Sequence, residues 1–230
     1  MSDKPAITLY TAGTPNGHAA SIFLEVLKAA YPDNPDLKSY EVVKLSIRDA
    51  DIGKVHNQVK SPWFLEINPN GRIPAITVHG FHVFETSAII LYLAELYDSK
   101  RLFSYHPVND LKAYTEMLQW IFFAHGGIGP MQGQANHFTF AAPEKIEYGQ
   151  KRYVNETRRL YGVLEGHLKK GDKQFILGDK FTLADIKTFP WVRRGNILGI
   201  DFASEFPTIK AWLDRIEARP DVQEGLKIPA

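Results

Sequence analysis

A chain of 230 residues is long enough for two domains of ordinary size, and its 27 basic against 26 acidic residues give no electrostatic footprint for nucleic acid or membrane surfaces. No apolar run approaches the roughly 18 residues of a membrane span and no signal-like segment opens the chain, so a soluble, cytoplasmic protein is expected. Cysteine is absent, which excludes a disulfide framework, a thiolate metal site and a protein thiol nucleophile; any sulfur chemistry must use a thiol carried by a ligand.

Residues 6–10 read as a short strand, and 16–31 place Ala19, Phe23, Val26, Leu27 and Ala30 at helical spacing. Residues 40–45 alternate as a second strand. Hairpin strands follow at 75–78 and 81–84 around His79-Gly80, then a helix over 86–97. This order, βαβ followed by ββα with Ile73-Pro74 opening the third strand, predicts a thioredoxin-like sheet. Proline has no N–H and in its cis form makes a sharp turn, so the Ile73 N–H and C=O are exposed at the sheet edge for an extended peptide to pair with. Some residues later Glu85-Thr86 opens a helix, and its N-terminus, hydroxyl and carboxylate suit that peptide's charged end.

From about residue 109 strand patterns stop. Leu111, Tyr114, Leu118, Ile121 and His125 share one helical face, as do Val154, Tyr161, Leu164 and Leu168 further on. The intervening GGIGPMQGQANHF reads as a glycine-rich break between helices. Thr182 and Asp185 have capping-box spacing, and a last helix holding Trp212, Leu213 and Ile216 ends before Arg219-Pro220. The chain is therefore expected to be α+β, with a thioredoxin-like domain over 1–98, a linker over 99–108 and an all-helical domain over 109–230.

The Ile73-Pro74 and Glu85-Thr86 pairs and the Phe-Thr-Leu-Ala-Asp motif at 181–185 resemble the cytosolic glutathione transferases, over nearly the whole chain. Thr14-Pro15-Asn16-Gly17, Pro62-Trp63-Phe64, Gly129-Pro130-Met131 and 156–162 (ETRRLYG) are similar to a fungal branch that includes the yeast nitrogen-regulation prion protein and is akin to the bacterial nu-class transferases. The resemblance implies that Ile73 exchanges backbone hydrogen bonds with the cysteinyl unit of glutathione, and that Glu85 and Thr86 hold its γ-glutamyl end. It gives Lys60 the glycyl carboxylate, although Val59 stands where relatives often place a polar residue, and sets Arg72 beside them. Thr14, Asn16 and Tyr10 lie near the end of the first strand, where other classes keep the group that activates the thiol. The related branch uses asparagine there, so Asn16, with Thr14 beside it, is the expected catalytic position, and Tyr10 is structural.

Lowering a thiol pKa from about 8.5 to about 6.5 takes about 2.7 kcal/mol, within reach of one hydrogen bond to a charged group plus a helix N-terminus. The bound thiolate would attack a small hydrophobic electrophile, a peroxide or a disulfide. The resemblance further implies a homodimer with glutathione as co-substrate, and no metal spacing is seen among the eight histidines. Taken singly, Asn16-Gly17 is a helix cap, Glu85-Thr86 an ordinary helix entry, and Thr182 with Asp185 folding chemistry; their order and spacing together favour the glutathione site. A ligandin-like binding protein and a regulatory interaction protein are the alternatives. The lack of an Asn/Gln-rich leader and of a long insertion between Leu168 and Phe181 favours an enzyme over a regulator.

Overall fold

The computed structural model describes residues 5–230, which divide into two compact units, 5–99 with 219–230 and 100–218. In the first, β1 (Ile7–Thr11), α1 (Pro15–Ala30), the short α2 (Pro35–Lys38) and β2 (Glu41–Lys44) are followed by a turn of helix α3 (Pro62–Leu65). The hairpin β3 (Ala75–Val78) and β4 (Phe81–Phe84) and helix α4 (Thr86–Tyr97) complete the thioredoxin-like order. The sheet runs β2-β1-β3-β4, with β1 and β2 parallel and the other two pairings antiparallel.

Period-two alternation gives this sheet two different faces. Ile7 and Leu9 on β1 lie opposite Val78 and Ile76 on β3, and all four are buried. Helix α1 packs on α4, and α4 on β3 and β4, with Phe23, Leu24, Val26, Leu27, Ile89, Ile90 and Leu93 fully buried. On the other face Tyr10, Val43 and Ala75 join Leu45, Val59, Phe64 and Trp63 in a second cluster. Val59 therefore packs as a core residue.

The second unit is helical: α5 (Leu111–Phe123), α6 (Gly129–Asn136), α7 (Glu147–Lys169), α8 (Leu183–Val192), α9 (Phe202–Glu205) and α10 (Pro207–Glu217). The buried face of α5 is Met117 and Ile121, continued by Ala124, while Leu111 is exposed and Tyr114 only half-buried. The expected glycine-rich break is instead helical. Two π-helical turns, Ala124–Ile128 and His137–Ala141, flank α6 and keep the chain winding. Its glycines serve packing: a Cβ at Gly129 would lie 3.2 Å from Trp191 Nε1, and one at Gly133 3.5 Å from the same indole ring. The broad Trp191 ring thus lies against α6 where a side chain would hold it off. Periodicity could not reveal this, because glycine marks both a break and a close helix approach.

The capping box forms as expected at the start of α8. Asp185 Oδ2 accepts from Thr182 N at 2.9 Å and Thr182 Oγ1 at 3.2 Å, while Oδ1 accepts from Ile176 N and Trp212 Nε1, each at 2.9 Å. One fully buried carboxylate thereby ties α8, the 176 loop and α10 together. At the end of the chain the structure departs from a helical domain running over 109–230. Helix α11 (Pro220–Leu226) packs on α1, so 219–230 belong to the first unit, and 100–108, read as linker, belong to the second.

Candidate functional site

Strand register brings distant parts of the sequence to one end of the sheet. Tyr10 pairs with Ala75, and Ala75 with Phe84, so the exit of β1, the entry of β3 and the exit of β4 lie in one row. Thr14 and Asn16 follow the first, Ile73-Pro74 precede the second, and Glu85-Thr86 follow the third. Strand β2 ends at the same level, with Thr11 opposite Lys44, and the bridge between Ser46 and Gln58 carries the chain back so that Lys60 comes two residues after it. Four segments therefore converge because β1 is antiparallel to β3 and parallel to β2.

At the β1 exit, Thr14 is the N-cap of α1: its Oγ1 accepts from Gly17 N at 3.1 Å, and Pro15 takes the first helical position. Asn16 therefore sits in the first turn of α1, half-buried, where helix N–H groups and the positive end of the dipole point outward. Because the Thr14 hydroxyl serves the cap as acceptor, its own proton is left for a further partner. Tyr10 faces the other way, with its ring 6.1 Å from Trp63 and 5.8 Å from Phe64, and takes part in the second core cluster.

At the β3 entry the Ile73-Pro74 peptide is cis. Among the backbone hydrogen bonds of the described residues none involves Ile73, so its N–H and C=O are open to a ligand strand. The turn before it is built by Asn68, buried, which donates from Nδ2 to Arg72 O at 2.7 Å and accepts from Asn70 N at 3.0 Å. Gly71 completes it at φ +57°, where a Cβ would fall 2.7 Å from Val59 O and 2.8 Å from Lys60 Nζ. Lys60 Nζ donates to Asn70 O at 2.8 Å and keeps two further protons, while the Arg72 side chain is exposed beside the turn. Sequence reading did not name Asn68, Gln58 or Gly71 as supports. The Asn-Pro-Asn-Gly composition of the turn was the available signal.

At the β4 exit Glu85 occupies the N-cap position of α4 with φ 70° and ψ 119°, unusual for a residue with a side chain. Its carbonyl accepts from Ile89 N at 2.9 Å, its side chain makes no cap bond, and Thr86 behind it is buried. Strain of this kind persists where the surroundings hold it, and here it falls on an exposed glutamate at a helix N-terminus.

Elsewhere, Arg158 pairs with Glu205 and donates to Gly199 O, each at 2.9 Å, and Arg159 grips Glu156 through two hydrogen bonds, so the basic run on α7 is largely occupied with its own neighbours. The Trp120 ring lies tilted against His167 with centroids 4.1 Å apart, and Phe138 stacks on Tyr153 at 5.4 Å, within the helical unit.

A thioredoxin-like unit whose cis-proline strand entry lies level with two helix N-termini, in a chain with a helical second unit, defines a recognisable class. Residues 5–95 match the glutathione S-transferase N-terminal domain and 128–220 the glutathione S-transferase C-terminal domain. The chain is 39% identical to the disulfide-bond oxidoreductase YfcG of Escherichia coli, over 96% of this chain and 94% of that one. It is 35% identical to the glutathione S-transferase-like protein tpcF of Aspergillus fumigatus, over 98% and 97%. Among solved structures, a glutathione transferase homolog from Lodderomyces elongisporus with two glutathiones per subunit superposes with a TM-score of 0.83, at 40% identity and covering 97% and 99% of the two chains. Ure2p in complex with glutathione also gives 0.83, at 30% identity, covering 98% and 100%. The chain belongs to the glutathione S-transferase family.

Proposed function

We propose that this protein is a glutathione-dependent enzyme whose main reaction is thiol–disulfide exchange, with glutathione supplying every thiol. The observation that carries the reading is the open backbone edge of Ile73 at the sheet end that also holds the N-termini of α1 and α4. Ile73 would exchange main-chain hydrogen bonds with the cysteinyl residue, and Glu85 would take the γ-glutamyl ammonium. Thr86 and the start of α4 would take the adjoining carboxylate. Lys60 would meet the glycyl carboxylate with its remaining protons, with Arg72 close by in the chain. Asn16, aided by the Thr14 hydroxyl and the α1 dipole, would hold the sulfur as thiolate.

Absence of cysteine decides how such a reaction must balance. One glutathione thiolate attacks a disulfide, forming a mixed disulfide and expelling a thiolate that takes up the proton the first thiol released. A second glutathione attacks the mixed disulfide, giving glutathione disulfide and the second reduced thiol, so two glutathiones supply two electrons. A disulfide-bond oxidoreductase among the relatives and two glutathiones per subunit in a structural neighbour support this choice. The same thiolate can attack small hydrophobic electrophiles or peroxides, as slower reactions. Reduced glutathione is the cytosolic thiol pool, and its use supports a cytoplasmic location. Among the described residues no helix is long and apolar enough to cross a membrane. A homodimer is part of the reading, as is usual in the family; β4 is an edge strand with Phe81 and Phe84 exposed, which leaves that edge available to a partner.

Glutathione-saturated protein assayed with hydroxyethyl disulfide, cumene hydroperoxide and a chloronitroarene should turn over the disulfide fastest. Turnover confined to the chloronitroarene would move the chemistry to conjugation, and failure to bind glutathione would overturn the reading altogether.

A further inference from the structure

Helix α11 meets α1 at backbone distance. A Cβ built on Gly225 would lie 2.4 Å from Ile22 Cα and 2.7 Å from Ile22 N, so only glycine allows this approach. Beside it the fully buried Ser21 donates its hydroxyl to Gly225 O at 2.7 Å, with His18 O, at 3.3 Å, a weaker second acceptor. Val222 on α11 is fully buried, and Lys44 Nζ donates to Ala230 O at 3.0 Å, tying the chain end to β2. A second close approach holds the N-terminal end of α1. There a Cβ on Gly17 would fall 2.2 Å from Ala12 O and 2.5 Å from Thr11 Oγ1. Helix α1 is thus gripped at Gly17 by the β1 exit and at Ser21 and Ile22 by α11. Asn16 directly precedes the first grip and lies about one and a half helical turns from the second.

We infer that α11 is a brace that sets the position of α1, and that Ser21 and Val222 act in catalysis as positioning residues for the thiol-activating first turn. This rests on the reading of Asn16 as the donor to the glutathione sulfur. A hydrogen bond to an anion weakens steeply as its distance and angle depart from ideal, and a misplacement of about 1 Å can cost about a hundredfold in rate. The groups proposed to bind the peptide, Ile73, Glu85 and Thr86, lie on other elements; α4 touches α1 but is also anchored on β3 and β4, which keep its N-terminus in place. A shift of α1 would therefore spoil activation while leaving glutathione binding almost intact.

The test compares the full-length wild type with Ser21→Ala, Val222→Ala, Asn16→Ala and the Asn16→Ala/Ser21→Ala double variant. The readouts are glutathione Kd, kcat and the pKa of the bound thiol followed by thiolate ultraviolet absorbance. Ser21→Ala and Val222→Ala should each raise the thiol pKa by about 0.5–1 and lower kcat at neutral pH by about three- to tenfold, as the thiolate fraction falls. Glutathione Kd should stay within about twofold. The double variant should shift the pKa no further than Asn16→Ala alone, because Ser21 acts through Asn16. If Asn16→Ala raises the pKa but Ser21→Ala and Val222→Ala lose only thermal stability, the brace is refuted and the Asn16 reading stands. An unchanged pKa in Asn16→Ala as well would remove the reading on which the brace rests.

Discussion

Glu85 joins two demands in one residue. Its positive φ costs about 1–3 kcal/mol relative to a relaxed backbone, and its carboxylate is exposed at the entry of α4. Glu85→Gln preserves the shape of the side chain and removes only the charge. Thermal stability should therefore change by less than about 0.5 kcal/mol, while glutathione affinity falls by about ten- to a hundredfold through loss of a charge-assisted hydrogen bond. Calorimetric titration beside a melting curve checks both. At this scale the residues proposed for the site could be picked out in the sequence, because the Ile73-Pro74 and Glu85-Thr86 steps carry backbone chemistry visible in the residue types, and strand register brings them to one end of the sheet. Less legible was the division of labour at the α1 entry: Thr14 provides the cap, and Asn16 is placed in the first turn behind Pro15. Several residues in Thr-Pro-Asn-Gly can cap a helix, and only coordinates choose among them.

Elements reveal where pattern reading stops. The strands and hairpin form where their pattern put them, whereas the 124–141 segment winds on through two π turns around α6, whose Gly129 and Gly133 lie against Trp191. The turn at 68–71 holds the Ile73 edge. Gly71→Ala would force a Cβ against Val59 O and the Lys60 ammonium at positive φ, so it should cost about 2 kcal/mol in denaturant unfolding and weaken glutathione binding through the displaced turn. Asp185 gives the helical unit a pH signature. Burial pushes its carboxyl up from 3.8 to about 6, and the hydrogen bonds from Ile176, Trp212 and Thr182 pull only part of the way back. A folded-state pKa above the unfolded one means that the native state holds the proton more tightly. This contribution is then fully present below about pH 4 and lost as pH rises through about 6. Unfolding profiles should show the wild type losing up to about 3 kcal/mol relative to Asp185→Asn across that interval.

At the scale of the whole molecule, the order of the main strands and helices was legible apart from the helical 124–141 segment and the end of the chain. The last helix was expected to end before Arg219-Pro220, α11 beyond it was not foreseen, and the decisive fact, Gly225 against Ile22, is a contact between residues some two hundred positions apart. Long-range backbone approach leaves no local trace beyond a glycine. Its consequence is that both ends of the described chain help to build the unit that holds the site, with Asn16 near one end and α11 at the other. The central claim is that this unit holds glutathione as a thiolate through Asn16. Ultraviolet pH titration of glutathione bound to the wild type and to Asn16→Ala tests it most directly. The account predicts a bound thiol pKa well below the free value in the wild type, rising by about 1–2 in the variant with affinity nearly unchanged. A bound thiol that titrates identically in both proteins would contradict it.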